Sequence, residues 1–209
     1  MGEVAPGVKR RAVKPSPLPA ADRRRCFWPG DDAQMIAYHD EVWGVPERDD
    51  HKLFTKLMLD MFQAGLSWRT ILHKQDNFLR AFAGFDIDLL SRWGAREKRR
   101  LMNDAGIVRN RMKIEACLNN ARLARELRDE GESLSRILWS FTGGKTLRDP
   151  RGMTRERIPA RTPQAEAMAK ELKRRGFRFL GPTICYAFMQ AVGMVDDHTE
   201  ECFRYVARR

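Results

Sequence analysis

Residues 182–193, PTICYAFMQAVG, run twelve positions without a charged side chain. A membrane-spanning helix needs about 20 apolar residues, so this segment is too short to cross a bilayer. As a helix it offers no polar stripe to water, so other elements must wrap it. The chain therefore has to fold around a central, buried helix, and its other segments must supply the cover.

Those segments read as helices. Residues 50–64, DHKLFTKLMLDMFQA, place Leu53, Leu57, Met61 and Ala64 on one face. RTILHKQDNFLRAFA predicts a second helix, and Asp86 caps a short one in DIDLLSRW. AREKRRLMND and VRNRMKIEACLNNARLARELRDE flank a glycine turn, and SLSRILWSF follows. TPQAEAMAKELKRRG is fully punctuated: Thr162 at the cap, Pro163 in the first turn, basic residues in the last and Gly176 beyond. No run alternates long enough to predict a half-buried strand, and no internal repeat stands out. FTGGKTLRDPRGMTRERIPART reads as a long, movable surface loop. The expected fold class is all-α, and 209 residues suffice for one domain or two small lobes.

The net charge is +11 with a pI near 10, which points to a polyanion, nucleic acid first. Part of that charge is local. Residues 1–25 hold seven Lys or Arg against two acids and four of the ten prolines, leaving +6 for the remainder. With so few large apolar groups they read as a disordered basic arm, ahead of a folded unit at 26–209. The start lacks a signal-peptide pattern and the chain has no membrane-length apolar run, so a soluble, intracellular, cytoplasmic protein is expected. Four cysteines in a chain of this length do not make a disulfide framework, and Cys117 and Cys185 sit in apolar surroundings as core residues.

Three constellations carry chemistry. The first is LMNDAGIVRNRMKI, where two helices meet at a short turn containing Gly106, followed by Arg109, Arg111 and Lys113. A helix start presents free N–H groups and the positive dipole end, where a phosphate can sit. An ordinary corner with solvated cations fits the same pattern. The second is Asp60, which falls on or beside the apolar face of its helix. Such a carboxylate is either tied to a structural partner or kept for function. Trp68 follows, near the same side of the helix axis, and Tyr38, Trp28 and Trp43 are candidates for further pocket walls. A core Trp beside an internally bonded Asp is the alternative.

The third is DDHTEEC, where His198 and Cys202 stand four apart, a spacing that shares one face of a helix. Partners are few: His39, His51, His73 and Cys26. His51 and His73 sit in polar stretches. Cys26, His39, His198 and Cys202 make a Cys2His2 set that suits a closed, structural zinc. A thiol and an imidazole in the core at each end remain the alternative.

These features converge on a resemblance. RRRCFWPGDDAQMIAYHDEVWGVPERDDHKLF, QAGLSWRTIL, NDAGIVRNRMKI, ELKRRGFRFLGPTICYAFMQAVGMVDDH and the closing Cys202 resemble DNA-3-methyladenine glycosylase I, a branch of the helix-hairpin-helix base-excision enzymes. The likeness runs from Cys26 to about Tyr205. It implies a two-lobed all-α fold with a base pocket between the lobes. It implies one structural zinc per chain on Cys26, His39, His198 and Cys202. It places the family's hairpin around Gly106, its base-stacking tryptophan at Trp68 and its pocket tyrosine at Tyr38.

One departure stands out. The family's pocket acid is usually glutamate in LEG-x-QAGLSW; here LDMFQAGLSW puts Asp60 in its place and Met61 where glycine is usual. The resemblance implies a monofunctional glycosylase on double-stranded DNA with alkylated bases, and a monomer is the simple expectation. It would flip out 3-methyladenine and remove it hydrolytically, with Asp60 as the catalytic carboxylate that bonds the base edge and favours the positive charge, and leave an abasic site. No lysine stands in an obvious Schiff-base position. The departure keeps two alternatives in view: a zinc-containing lesion-binding protein that does not cleave, and a glycosylase for a different lesion. An RNA-binding domain lacks support, because no single-strand aromatic platform motif is present.

Overall fold

The computed structural model describes residues 23–150 and 152–206. Eleven α-helices and one pair of two-residue parallel strands make up the regular structure among them. The all-α expectation holds.

Helix α1 spans Ala33–Glu41, started by Asp32, whose carboxylate accepts from Gln34 N and Met35 N. Helix α2, Asp50–Gln63, buries Leu53, Phe54, Leu57, Met58, Leu59, Asp60, Met61 and Phe62. The expected single helix over 69–83 is two, α3 (Trp68–His73) and α4 (Gln75–Ala81), followed by a 3-10 turn at Ala83–Phe85. Helices α5 (Ile87–Arg92), α6 (Ala95–Asn103), α7 (Arg111–Asp129) and α8 (Leu134–Ser140) follow. Helix α9 (Pro163–Arg174) has the Thr162 cap read from sequence, and Gly176 beyond it takes φ +90, where glycine is unstrained. Helix α10 (Pro182–Ala191) packs against α9 and α2, as its uncharged sequence demanded. A last turn, α11, covers Phe203–Val206.

Side chains fix the helix junctions. Asp50 accepts from Ser133 Oγ, Leu134 N and Ser135 N, so α2 caps the start of α8. Buried Asn120 on α7 bonds both N and O of Arg178 and holds the turn before α10.

Among the described residues there are two apolar cores. The larger gathers α2 with faces of α4, α7, α8, α9 and α10. The smaller joins Cys26, Tyr38, Trp43, Ala191, Cys202 and Tyr205 where the two ends of the described chain meet. Trp68 packs against both.

Three expectations change. The folded region starts before Cys26: Arg25 holds Asp40 at 2.8 Å, and Arg24 O accepts from Phe203 N. Residues 1–22 of the expected arm lie outside the described residues. The segment read as a movable loop is stitched down: β1 (Leu147–Arg148) pairs with β2 (Val195–Asp196), and Met153 bridges Thr199. Two-residue strands carry no alternation for a sequence to show. Finally, His198 and Cys202 are not on a helix. They flank a tight turn in which Cys202 N donates to Thr199 O, and that turn brings them to one side.

Candidate functional site: a chain-end cluster and a buried acid beside two aromatic rings

The chain-end cluster is built from three segments. Helix α1 carries His39, the irregular stretch before α1 carries Cys26, and the turn after β2 carries His198 and Cys202. The donor atoms of Cys26, His39 and Cys202 all lie within 4.8 Å of one another. The fourth expected ligand, His198, lies beside them, its ring 5.4 Å from that of His39. His198 Nε2 is buried without a hydrogen-bond partner. An orphaned imidazole nitrogen next to two sulfurs and a second imidazole fits a soft divalent cation.

Carboxylates orient both rings. His39 Nδ1 meets Asp40 at 2.8 Å and His198 Nδ1 meets Asp196 at 2.7 Å, so each Nε2 is the atom left for the cluster. This is the usual support of metal-bound histidines. Asp40 is pushed up by burial, but hydrogen bonds from Arg25 and His39 outweigh that and hold it below the ordinary carboxylate value. Burial keeps His198 below its usual value and so neutral, the form that ligates. Cys202 is lowered to about 4 by the hydrogen bond from Cys26, whose own value rises for the same reason, so the pair holds one thiolate. Gly44 makes room: at φ +73, a Cβ there would lie 2.6 Å from His198 Cε1.

Trp43 and Trp28, expected as pocket walls, both pack against this cluster. Trp43 lies edge-on to His198 at 4.6 Å, and Trp28 packs on Trp43 at 5.1 Å and on His39 at 5.2 Å. Trp28 also reaches Tyr38, at 6.2 Å, so it is the wall between cluster and corner.

The corner is formed by α1, α2 and α3. Tyr38 from α1 packs on Trp68 from α3 with ring centroids 4.9 Å apart. Trp68 is not on the face of α2, as its spacing from Asp60 suggested. Helix α2 ends at Gln63, and the turn through Gly65 (φ +75) redirects the chain so that Trp68 opens α3. Asp60 is 1% exposed, and burial raises its carboxyl above the ordinary value. One oxygen, Oδ1, pairs with Lys56 Nζ one helical turn earlier. The other, Oδ2, is buried and has no partner, as is Trp68 Nε1. The Lys56 ammonium lies 3.8 Å from the Trp68 ring centroid. Burial depresses Lys56, and Asp60 only partly restores it.

Lys56 is the site residue that sequence reasoning missed. Its signal was the i,i+4 spacing to Asp60, which puts a cation and an acid side by side on a helix.

The hairpin loop joins α6 to α7. Arg109 and Arg111 are exposed there. Gly106 is held between neighbours: a Cβ would lie 3.1 Å from Asn77 Cγ, and its carbonyl accepts from Lys74 and Asn77. Lys113 departs from the expected phosphate-facing set. It is 6% exposed, and its Nζ donates to Phe62 O at 2.9 Å and Ala64 O at 2.5 Å. It caps the end of α2, because the carbonyls of a last turn need donors.

Known proteins share this fold. The profile of the Methyladenine glycosylase family matches residues 28–205. DNA-3-methyladenine glycosylase 1 of Escherichia coli (strain K12) is 43% identical over 181 residues, covering 87% of this chain and 96% of that protein. A crystal structure of 3-methyladenine DNA glycosylase I superposes with a TM-score of 0.84 at 44% identity, over 86% of this chain and 98% of the other. A variant of 3-methyladenine DNA glycosylase I in complex with 3-methyladenine matches with a TM-score of 0.81 at 34% identity, over 85% of this chain and 95% of the other. A two-core helical fold, a Cys/His cluster closing its ends and a buried acid against a tryptophan thus come together in a chain that belongs to the methyladenine glycosylase family.

Proposed function

We propose that this protein removes 3-methyladenine from alkylated double-stranded DNA by hydrolysis and leaves an abasic site. The observation that carries the reading is the corner itself. A buried carboxylate oxygen, Asp60 Oδ2, lacks a donor beside an indole face that already holds a cation. A flipped methylated adenine supplies a flat ring that can pack in the corner beside Trp68 and an exocyclic amino group that donates to Oδ2. Flipping costs a few kcal/mol of unstacking, least for a damaged base.

The base's positive charge already weakens its glycosidic bond. The C1′–N9 bond breaks, the base leaves neutral with the bonding electrons, and water adds to C1′ and gives up a proton. Ionised Asp60 favours the charge that spreads from ring to sugar during that step. Lys56 is held by Asp60 at the base end of the corner, so a monofunctional hydrolase is the expected product pattern.

The exposed Arg109 and Arg111 at the α6–α7 hairpin suit phosphate contacts that position the duplex without reading sequence. Cys26, His39, His198 and Cys202 would hold one structural zinc, which closes the chain ends when bound. The orphaned His198 Nε2 and the shared thiolate support that assignment.

Chromatography of the bases released from methylated duplex DNA tests the reading. The expected product is 3-methyladenine with an intact, abasic strand. Tight binding to damaged duplex with no base released would make this a lesion-binding protein instead, and strand cleavage coupled to release would overturn the monofunctional assignment.

A further inference from the structure

The acid of the base corner arrives with its own counter-ion. Lys56 and Asp60 stand one turn apart on α2, and the lysine side chain is 14% exposed while that of Asp60 is 1% exposed. The ammonium contacts Asp60 Oδ1 and lies 3.8 Å from the centroid of Trp68 and 5.8 Å from that of Tyr38. It therefore occupies the two positions that a cationic base would seek, the carboxylate and the indole face.

The question is whether a base evicts the ammonium or shares the corner with it. Breaking a buried ion pair costs more than one hydrogen bond to a base returns. Sharing requires no such break, because Asp60 Oδ2 is still without a partner. We propose that Lys56 is a specificity-determining residue that stays in the corner and shifts its preference from cationic toward neutral bases carrying a hydrogen-bond acceptor. With Lys56 in place the corner is electrically balanced. A cationic ring meets a like charge at short range in a desolvated site. A neutral base meets a donor in Lys56 and an acceptor in Asp60 Oδ2, and so satisfies both edges. The depressed ammonium agrees with its desolvated position. This inference rests on the glycosylase reading of the corner and narrows the bases it takes.

The test compares two free bases that differ in charge: neutral 3-methyladenine and the fixed cation 3,9-dimethyladeninium. Binding of each is measured by tryptophan fluorescence or calorimetry at one fixed, mildly alkaline pH. The proteins are wild type, Lys56→Met, which keeps the length without the charge, and Lys56→Arg, which keeps the charge. The 9-methyl group cancels when ratios are compared between proteins. Lys56→Met is expected to raise the ratio of cation to neutral affinity by at least about fivefold, and Lys56→Arg to keep the wild-type ratio. A smaller rise in Lys56→Met, with both bases tightened alike, means that Lys56 is simply displaced, and overturns the proposal. Loss of both bases in Lys56→Met, with melting temperature and metal content intact, makes Lys56 a plain ligand contact and overturns it too. Failure of all three proteins to bind either base has the same consequence. Base release from methylated DNA, measured separately, decides the glycosylase reading, so the two failures are distinguishable.

Discussion

Two buried polar clusters lie on either side of Tyr38 and Trp28, and they are finished in opposite ways. In the chain-end cluster three of the four expected ligands are oriented by a neighbour outside it: Asp40 behind His39, Asp196 behind His198, and Thr199 N donating to Cys26 Sγ. The donors then converge on one another, and one imidazole nitrogen is left over. In the base corner the acid is supported only by Lys56, which comes from the same helix and lies within the corner itself. A site whose supports lie outside it is rigid and takes one fixed guest. A site whose support is also an occupant tunes what enters. The first is the pattern of structure and the second that of selectivity.

The largest effect should come from the first cluster. Cys26→Ser removes one of the four proposed zinc ligands, so zinc content should fall from about one per chain toward zero. Stability should fall by roughly 3 kcal/mol or more, about 6–12 °C in Tm for a chain of this size. Metal analysis with calorimetry reads both. Full zinc retention would leave the cluster as a packed thiol–imidazole core and erase the contrast.

Lys113→Met comes next. It strips two carbonyls at the end of α2 of a buried donor and should cost about 1–3 kcal/mol by denaturant unfolding. The salt dependence of DNA binding should not change, because this ammonium faces carbonyls and not solvent. A flatter salt slope would return Lys113 to the DNA-facing set.

Lys56→Met should move the acid limb of base release to higher pH. The sign follows from Asp60: burial raises its carboxyl and the Lys56 ammonium lowers it. Removing the ammonium leaves burial unopposed, so ionisation, and activity that needs it, begins at higher pH. A limb that stays in place would show that the pair does not hold in solution.

The smallest effect belongs to the surface. Arg109→Ala should weaken DNA several-fold and reduce the salt slope by about one, alike for damaged and undamaged duplex. An unchanged slope would take the hairpin out of the interface.

Much of this was legible in the sequence. The uncharged run 182–193 fixed the buried helix, Thr162 and Gly176 bounded α9, and Asp60 stood out by its place on an apolar face. The four ligand types were identifiable because so few Cys and His are present. What stayed hidden depends on turns and on partners distant in sequence. Trp68 reaches the corner through the turn at Gly65, and a non-helical turn brings His198 and Cys202 to one side of the chain-end cluster, so helical spacing did not describe how any of them is placed. Lys113 read as a surface cation because its carbonyl partners are some 50 positions away, at Phe62 and Ala64. The strand pair under the 141–162 segment is too short to leave a pattern.

The most direct test of the central claim is single-turnover release of base from methylated duplex DNA by wild type and Asp60→Asn side by side. Wild type should release 3-methyladenine, and the variant should be slower by about a hundredfold or more while keeping its zinc and its fold. Equal release by both proteins would take Asp60 out of the reaction and contradict the account.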